Sequence, residues 1–226
     1  MSDINEAMKD AVPTGKLGII ALKSCTEMGN RINEYLVDWR RDRHHKHQNS
    51  PLYDEYSKDS FLIRAENPRF GTGEAKGLIH DSIRGRDLYL LVDVCNYSLT
   101  YTVCGHENHM SPDDHFCDLK RIIAAAEGKA ARISVIMPFL YEGRQHKRTA
   151  RESLDCALAL EELVAMGVRM LPANSNSSVN VPALTTSPFP VITMGANVWL
   201  SLFSLTTSLM VRVQSASLKK SSERLS

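Results

Sequence analysis

What constrains this chain most is an alternation: up to about residue 168, short apolar runs suited to buried strands are followed by stretches with helical spacing. "LGIIAL", residues 17 to 22, leads into "SCTEMGNRINEYLVDW", where Ser24 and Glu27 have capping-box spacing and Met28, Ile32, Tyr35 and Leu36 share a helical face. "FLIRAE" and residues 74 to 79 read as further strands, as does "LYLLVDV" from Leu88 to Val94. Ser111 and Pro112 predict the start of a helix that turns Phe116, Leu119, Ile122 and Ile123 inward and ends at Gly128. "RISVIMPF" is the next strand, and a helix is expected from about Thr149 to Met166, closed by Gly167. The fold class is therefore α/β, a layered sheet with flanking helices and much parallel character, in which ligands gather at the carboxyl ends of strands.

Residues 38 to 60 are charged and His-rich and read as a surface insertion; their basic run "RRDRHHKH", Arg40 to His47, reads as solvated. A net charge of +1 gives no reason to expect nucleic acid as a partner. The five cysteines (25, 95, 104, 117 and 156) form no Cys-x-x-Cys pair, and residues 1–16 lack the apolar core of a signal peptide, so a cytoplasmic setting is expected.

Two separated stretches carry chemistry. The first holds Arg69, Phe70, Gly73 and Glu74, then Ser82, Ile83, Arg84, Gly85 and Asp87; the second holds Pro138, Phe139, Tyr141, Arg144 and Gln145. By residue type alone, Phe70 suits packing beside a turn and "RQHKR" a solvated basic loop. In this order, with compatible strands and helices between them, the two stretches resemble phosphoribosyl pyrophosphate synthetase (ribose-phosphate pyrophosphokinase) over roughly Leu17 to Val168. That resemblance implies a phosphoribosyltransferase-like amino-terminal domain, homo-oligomers, and transfer of a pyrophosphoryl group from ATP, with Mg²⁺, to ribose 5-phosphate. It further implies that Phe70 and Glu74 help hold the adenine of ATP in a neighbouring subunit, while Arg144 and Gln145 line the nucleotide site from within. An aromatic face can stack on a purine, a carboxylate can accept from its amine, and Arg144, Lys147 and Arg148 past a strand end suit phosphate oxygens.

The chain departs from the family pattern at Thr72 and His146, where most members carry aspartate. More consequentially, residues 156 to 226 contain no aspartate and no histidine, and no acidic residue occurs between Arg169 and Glu223. The family's metal-binding histidine and acidic ribose-phosphate loop therefore have no counterpart there. The expected organisation is an extension (1–16), a matching domain (17–168) and an irregular Ser/Thr-rich tail (169–226), the last aberrant or frameshifted. The chain as given is expected to be truncated and inactive, with no catalytic or metal residues of its own. Alternatives are a non-catalytic subunit that joins full-length ones, or a small metal-binding module built from Cys104, His106, His109, Asp113, His115 and Cys117. Residues 191 to 211 are uncharged over the ~20 residues of a membrane span, but Asn, Ser and Thr dilute them, so a membrane role ranks behind a disordered or poorly packed tail.

Overall fold

Strands buried on both faces need a continuous apolar sequence, and the three longest strands here have one. The computed structural model describes residues 14–43, 57–144 and 151–171. In chain order the elements are β1 (Lys16–Ala21), α1 (Thr26–Arg43), β2 (Ala65–Glu66), β3 (Leu78–Ile79), β4 (Arg86–Leu91), β5 (Thr100–Val103), β6 (His106–His109), α2 (Pro112–Ala126), β7 (Arg132–Ile136), α3 (Asp155–Ala165) and β8 (Val168–Met170). A parallel sheet runs in the order β1-β4-β7-β8, and the β2–β3 and β5–β6 pairs are antiparallel.

Alternation along each strand divides the core. Leu88 and Leu90 of β4 and Ile133 and Val135 of β7 pack with Phe116, Leu119, Ile122 and Ile123 of α2 and Leu160 and Leu163 of α3. Ile19 and Leu91 join Leu36 and Val37 of α1 and Phe61 in a second cluster. Burying each large aliphatic side chain contributes about 1.5–3 kcal/mol. The capping reading of α2 holds: the Ser111 hydroxyl accepts from the Asp114 amide at 3.2 Å, and the Asp114 carboxylate accepts from the Ser111 amide at 2.9 Å. Pro112 opens the helix, and Gly128, with φ +66°, follows its end.

The start of α1 differs from expectation. Ser24 lies in a 3-10 turn, Lys23–Cys25, ahead of the helix, where its hydroxyl accepts from the Asp93 amide at 3.0 Å and its carbonyl from Asn96 at 3.0 Å. Those bonds join β1 to the end of β4, so Ser24 makes no capping box, and Glu27 pairs with Arg31 instead. Tyr35 is exposed and Val37 takes the inward position. The helix also continues into the segment read as an insertion, reaching Arg43, with the Arg40 guanidinium over the Phe61 ring at 4.9 Å.

After α1, the Phe61–Ile63 segment bonds to the outer edge of β1: Ile19 donates to Phe61 at 2.9 Å and Ile63 donates to Ile19 at 2.7 Å. The chain then crosses to β4 on the other side of β1. Strand order thus reverses at β1, and a crevice at the carboxyl ends of β1 and β4 is the expected ligand position. The strand read at 74 to 79 shrinks to two residues because the Gly77 backbone presses on α2, where a Cβ would stand 2.2 Å from the Arg121 carbonyl oxygen. Residues 191 to 211 lie outside the described residues; among those described, no helix is long and apolar enough to cross a membrane.

Candidate functional site

The loop bearing Phe70 and Glu74 is narrow and internally bonded. Phe70 donates to the Glu74 carbonyl at 2.7 Å, Gly73 donates back to the Phe70 carbonyl at 2.9 Å, and Gly73 takes φ +91°, a conformation glycine adopts without strain. Arg69 anchors this loop. Its guanidinium donates to the Gly73 carbonyl at 3.0 Å and to the Asp118 carboxylate at 2.9 Å, lies 3.6 Å from Asp114, and stacks over the Tyr101 ring at 4.4 Å. On the other flank Cys104, in the β5–β6 turn, donates to the Gly71 carbonyl at 3.0 Å.

With its backbone held this way, Phe70 projects outward and is 53% exposed. It does not pack beside the turn as its residue type alone suggested. Glu74 is also exposed, and the Thr72 hydroxyl donates to its Oε2 at 3.1 Å. A rigidly mounted exposed aromatic face next to a carboxylate is suited to a planar, amine-bearing partner.

The second stretch follows β7. Tyr141 stacks on Phe116 with centroids 4.2 Å apart, and its hydroxyl donates to Asp113 at 2.8 Å. Burial and then the Asp113 charge push the Tyr141 hydroxyl well above its ordinary pKa, so it remains a donor. Arg144 is exposed and near enough to Cys95 to favour its thiolate, although burial and Asp93 prevail and raise that thiol. Gln145, Lys147 and Arg148 lie outside the described residues.

Both loops gather at the carboxyl end of the sheet, beside the first turns of α2. A cleft of about 490 Å³ is lined by Glu74 and Thr72 together with Arg69, Asp113, Asp114 and Arg121. A second, of about 390 Å³, lies at the β1 end of the crevice and includes Lys23, Ser24, Asn67, His115 and Asp118. Arg144 lines neither, so Glu74 and Arg144 do not share one of these clefts. Around α2, burial pushes the Asp114 carboxyl up, but the Ser111 bonds, Arg69 and Tyr101 leave it below its usual range. Asp118 is more deeply placed, and there burial prevails over Arg69 and Arg121 and raises it.

Nothing local in the sequence marks Arg69, Tyr101, Asp114 and Asp118 as site residues. Arg69 was visible only as a motif member, and the three partners that make it an anchor lie 32 to 49 positions away in sequence. The Cys/His/Asp stretch does not converge. His115 is buried with Nε2 on the Asn96 carbonyl at 2.8 Å, His109 stacks on Tyr97, and among the described residues no group of three or more such side chains could hold a metal ion.

The family model for the N-terminal domain of ribose phosphate pyrophosphokinase matches residues 17–167. Among solved structures, phosphoribosylpyrophosphate synthetase from Mycobacterium smegmatis is similar at 18% identity and a TM-score of 0.52, over 84% of this chain and 52% of that one. That likeness is one of fold, and the chain spans about half the length of that protein. No curated protein matches the chain.

Proposed function

Because the chain belongs to the family of ribose phosphate pyrophosphokinase N-terminal domains, we propose that residues 17–168 form a domain that contributes to nucleotide sites shared between subunits. The substrate is MgATP, with ribose 5-phosphate as the family's acceptor. Phe70 stacks on the adenine held by a neighbouring subunit and Glu74 accepts from its exocyclic amine. Arg144 and Gln145 face the nucleotide of their own subunit. The carrying observation is the Phe70 loop, fixed from behind by Arg69, with its ring 53% exposed and lining neither of the two clefts. A ring left in solvent on a fixed loop is free to meet a ligand held by a neighbour.

The metal enters with the nucleotide as substrate. Turnover by this chain alone is not expected: residues 156 to 226 offer neither aspartate nor histidine, so the family's metal histidine and ribose-phosphate loop have no counterpart there. At Thr72 a hydroxyl stands where a second carboxylate is usual, and it engages Glu74, which leaves one carboxylate for the base. The domain's own contribution is to sites it shares, in homo-oligomers or with full-length subunits.

Complementation tests this reading. Phe70→Ala and Arg144→Ala are each expected to weaken binding of a fluorescent ATP analogue with Mg²⁺, the first by the about 1–3 kcal/mol that a base–aromatic stack contributes. If the two residues serve opposite sides of one site, mixing the variants in equal amounts restores about a quarter of the sites. No recovery on mixing, with both variants folded, sinks the shared-site reading. AMP formed from ATP only when ribose 5-phosphate is present would overturn the expectation of no turnover.

A further inference from the structure

The two loops hang on one turn of α2. Asp113 accepts from Tyr141 at 2.8 Å, whereas its neighbour Asp114 faces Arg69 at 3.6 Å and accepts from Tyr101 at 3.3 Å. One turn on, Asp118 takes Arg69 at 2.9 Å and Arg121 at 2.6 Å. Asp113, Arg69, Arg121 and Glu74 all line the same cleft. A carboxylate at Asp113 released by Tyr141 is left beside the cleft whose wall also holds Arg69, and any shift of Arg69 toward it draws that guanidinium from the Gly73 carbonyl that it steadies.

We propose that Tyr141 and Arg69 are positioning residues that fasten the loop at residues 70–74 and the loop at residues 140–144 to the first turns of α2 as one unit, so that displacing either loop loosens the other. The functional consequence rests on the reading above. Where one loop serves a neighbour's nucleotide and the other its own, this turn of helix couples adjacent sites. The coupling itself is a property of the single chain.

Hydrogen exchange on the full chain tests it, because each loop carries hydrogen-bonded amides: Phe70 and Gly73 in one, Gly143 in the other. Tyr141→Phe keeps the ring and deletes only the bond to Asp113. Exchange at Phe70 and Gly73, as well as at Gly143, is expected to quicken about threefold or more, with β4 amides unchanged. Arg69→Lys keeps the charge but not the fork, and is expected to quicken Gly143 in return. Acceleration confined to the altered loop overturns the proposal, as does a uniform acceleration that reaches β4. Adding MgATP to the same samples reads the function separately: absence of protection at both loops sinks the nucleotide reading and leaves the coupling standing.

Discussion

Gly77 offers the sharpest test of how the Phe70 loop is mounted. A Cβ there would stand 2.2 Å from the Arg121 carbonyl oxygen, 2.5 Å from its carbon and 2.9 Å from the Ile122 nitrogen, all backbone atoms in the middle of α2 that cannot rotate away. To accept a methyl group the β2–β3 hairpin must retreat from the helix by roughly 1 Å. That movement strains the Asn67 bond to the Asp118 carbonyl, now 3.2 Å, and the Arg69 bond to the Asp118 carboxylate, now 2.9 Å. A neutral bond contributes about 0.5–1.5 kcal/mol and a charged one about 1.5–3 kcal/mol, so Gly77→Ala is expected to cost about 2–4 kcal/mol. For a domain of this size that is roughly 6–12 °C in Tm. Gly71→Ala is the matched control: it lies in the same loop region, a Cβ there would meet nothing within 4 Å, and its φ is not positive, so it should fall within about 0.5 kcal/mol of wild type. Urea denaturation of both variants decides the matter. If Gly77→Ala unfolds at the wild-type midpoint with an unchanged slope, the close approach to α2 is not what seats the hairpin.

Three other expectations follow from the same contacts. The Asp81 carboxyl, bonded by the Arg64 guanidinium and amide, is held at about 2 against an ordinary 3.8; being depressed on folding, it stabilises the fold above about pH 4, and that contribution disappears as pH falls through about 2. Asp81→Asn should therefore be less stable than wild type at neutral pH and converge with it near pH 2 in acid-unfolding curves. Among the thiols, Cys25 is buried and pushed up to about 12 by burial and Asp93, while Cys104 is exposed; native protein should label rapidly at Cys104 with a disulfide reagent and at Cys25 only after unfolding, as peptide mapping would read. Asp87 and Arg132 form a largely buried pair, joined by a bond of 2.7 Å from Arg132 Nε, so Asp87→Ala alone should cost about 2–4 kcal/mol in urea unfolding and adding Arg132→Met should recover much of it.

The strands around Leu88 and Ile133 and the helix after Ser111 were legible in the sequence because local signals there agree with tertiary burial: apolar runs become a sheet covered on both faces, and Ser111-Pro112 has no stronger use than capping. Ser24 shows the opposite case. Its spacing to Glu27 suggested a cap, but the Asp93 amide and the Asn96 side chain, brought close by the parallel pairing of β1 and β4, claim it instead. Gly77 likewise shortens a plausible strand through a contact 44 positions away in sequence. Phe70 and Glu74 were recognisable as motif members, but nothing local revealed the anchor behind them, because Arg69 takes its partners from β5 and from two turns of α2.

The Ser82 to Asp87 part of the family resemblance occupies the amino end of the sheet, away from the candidate site. Arg86 donates to the carbonyls of Ser82 at 2.9 Å and Leu17 at 3.0 Å, Gly85 takes φ +68° and donates to the Lys129 carbonyl at 2.9 Å, and Asp87 pairs with Arg132. These contacts bind the starts of β1, β4 and β7 together, so the motif is accounted for by the fold whether or not a nucleotide is ever bound. The departures from the family pattern fall elsewhere: Thr72 sits in the outward loop, and His146 follows Arg144 in sequence. The contacts that tie the strands together and the candidate site thus lie at opposite ends of one sheet. Substitutions at the carboxyl end can change what is bound without loosening the amino end, and for that reason family membership establishes the scaffold while the shared nucleotide site has to be tested by complementation.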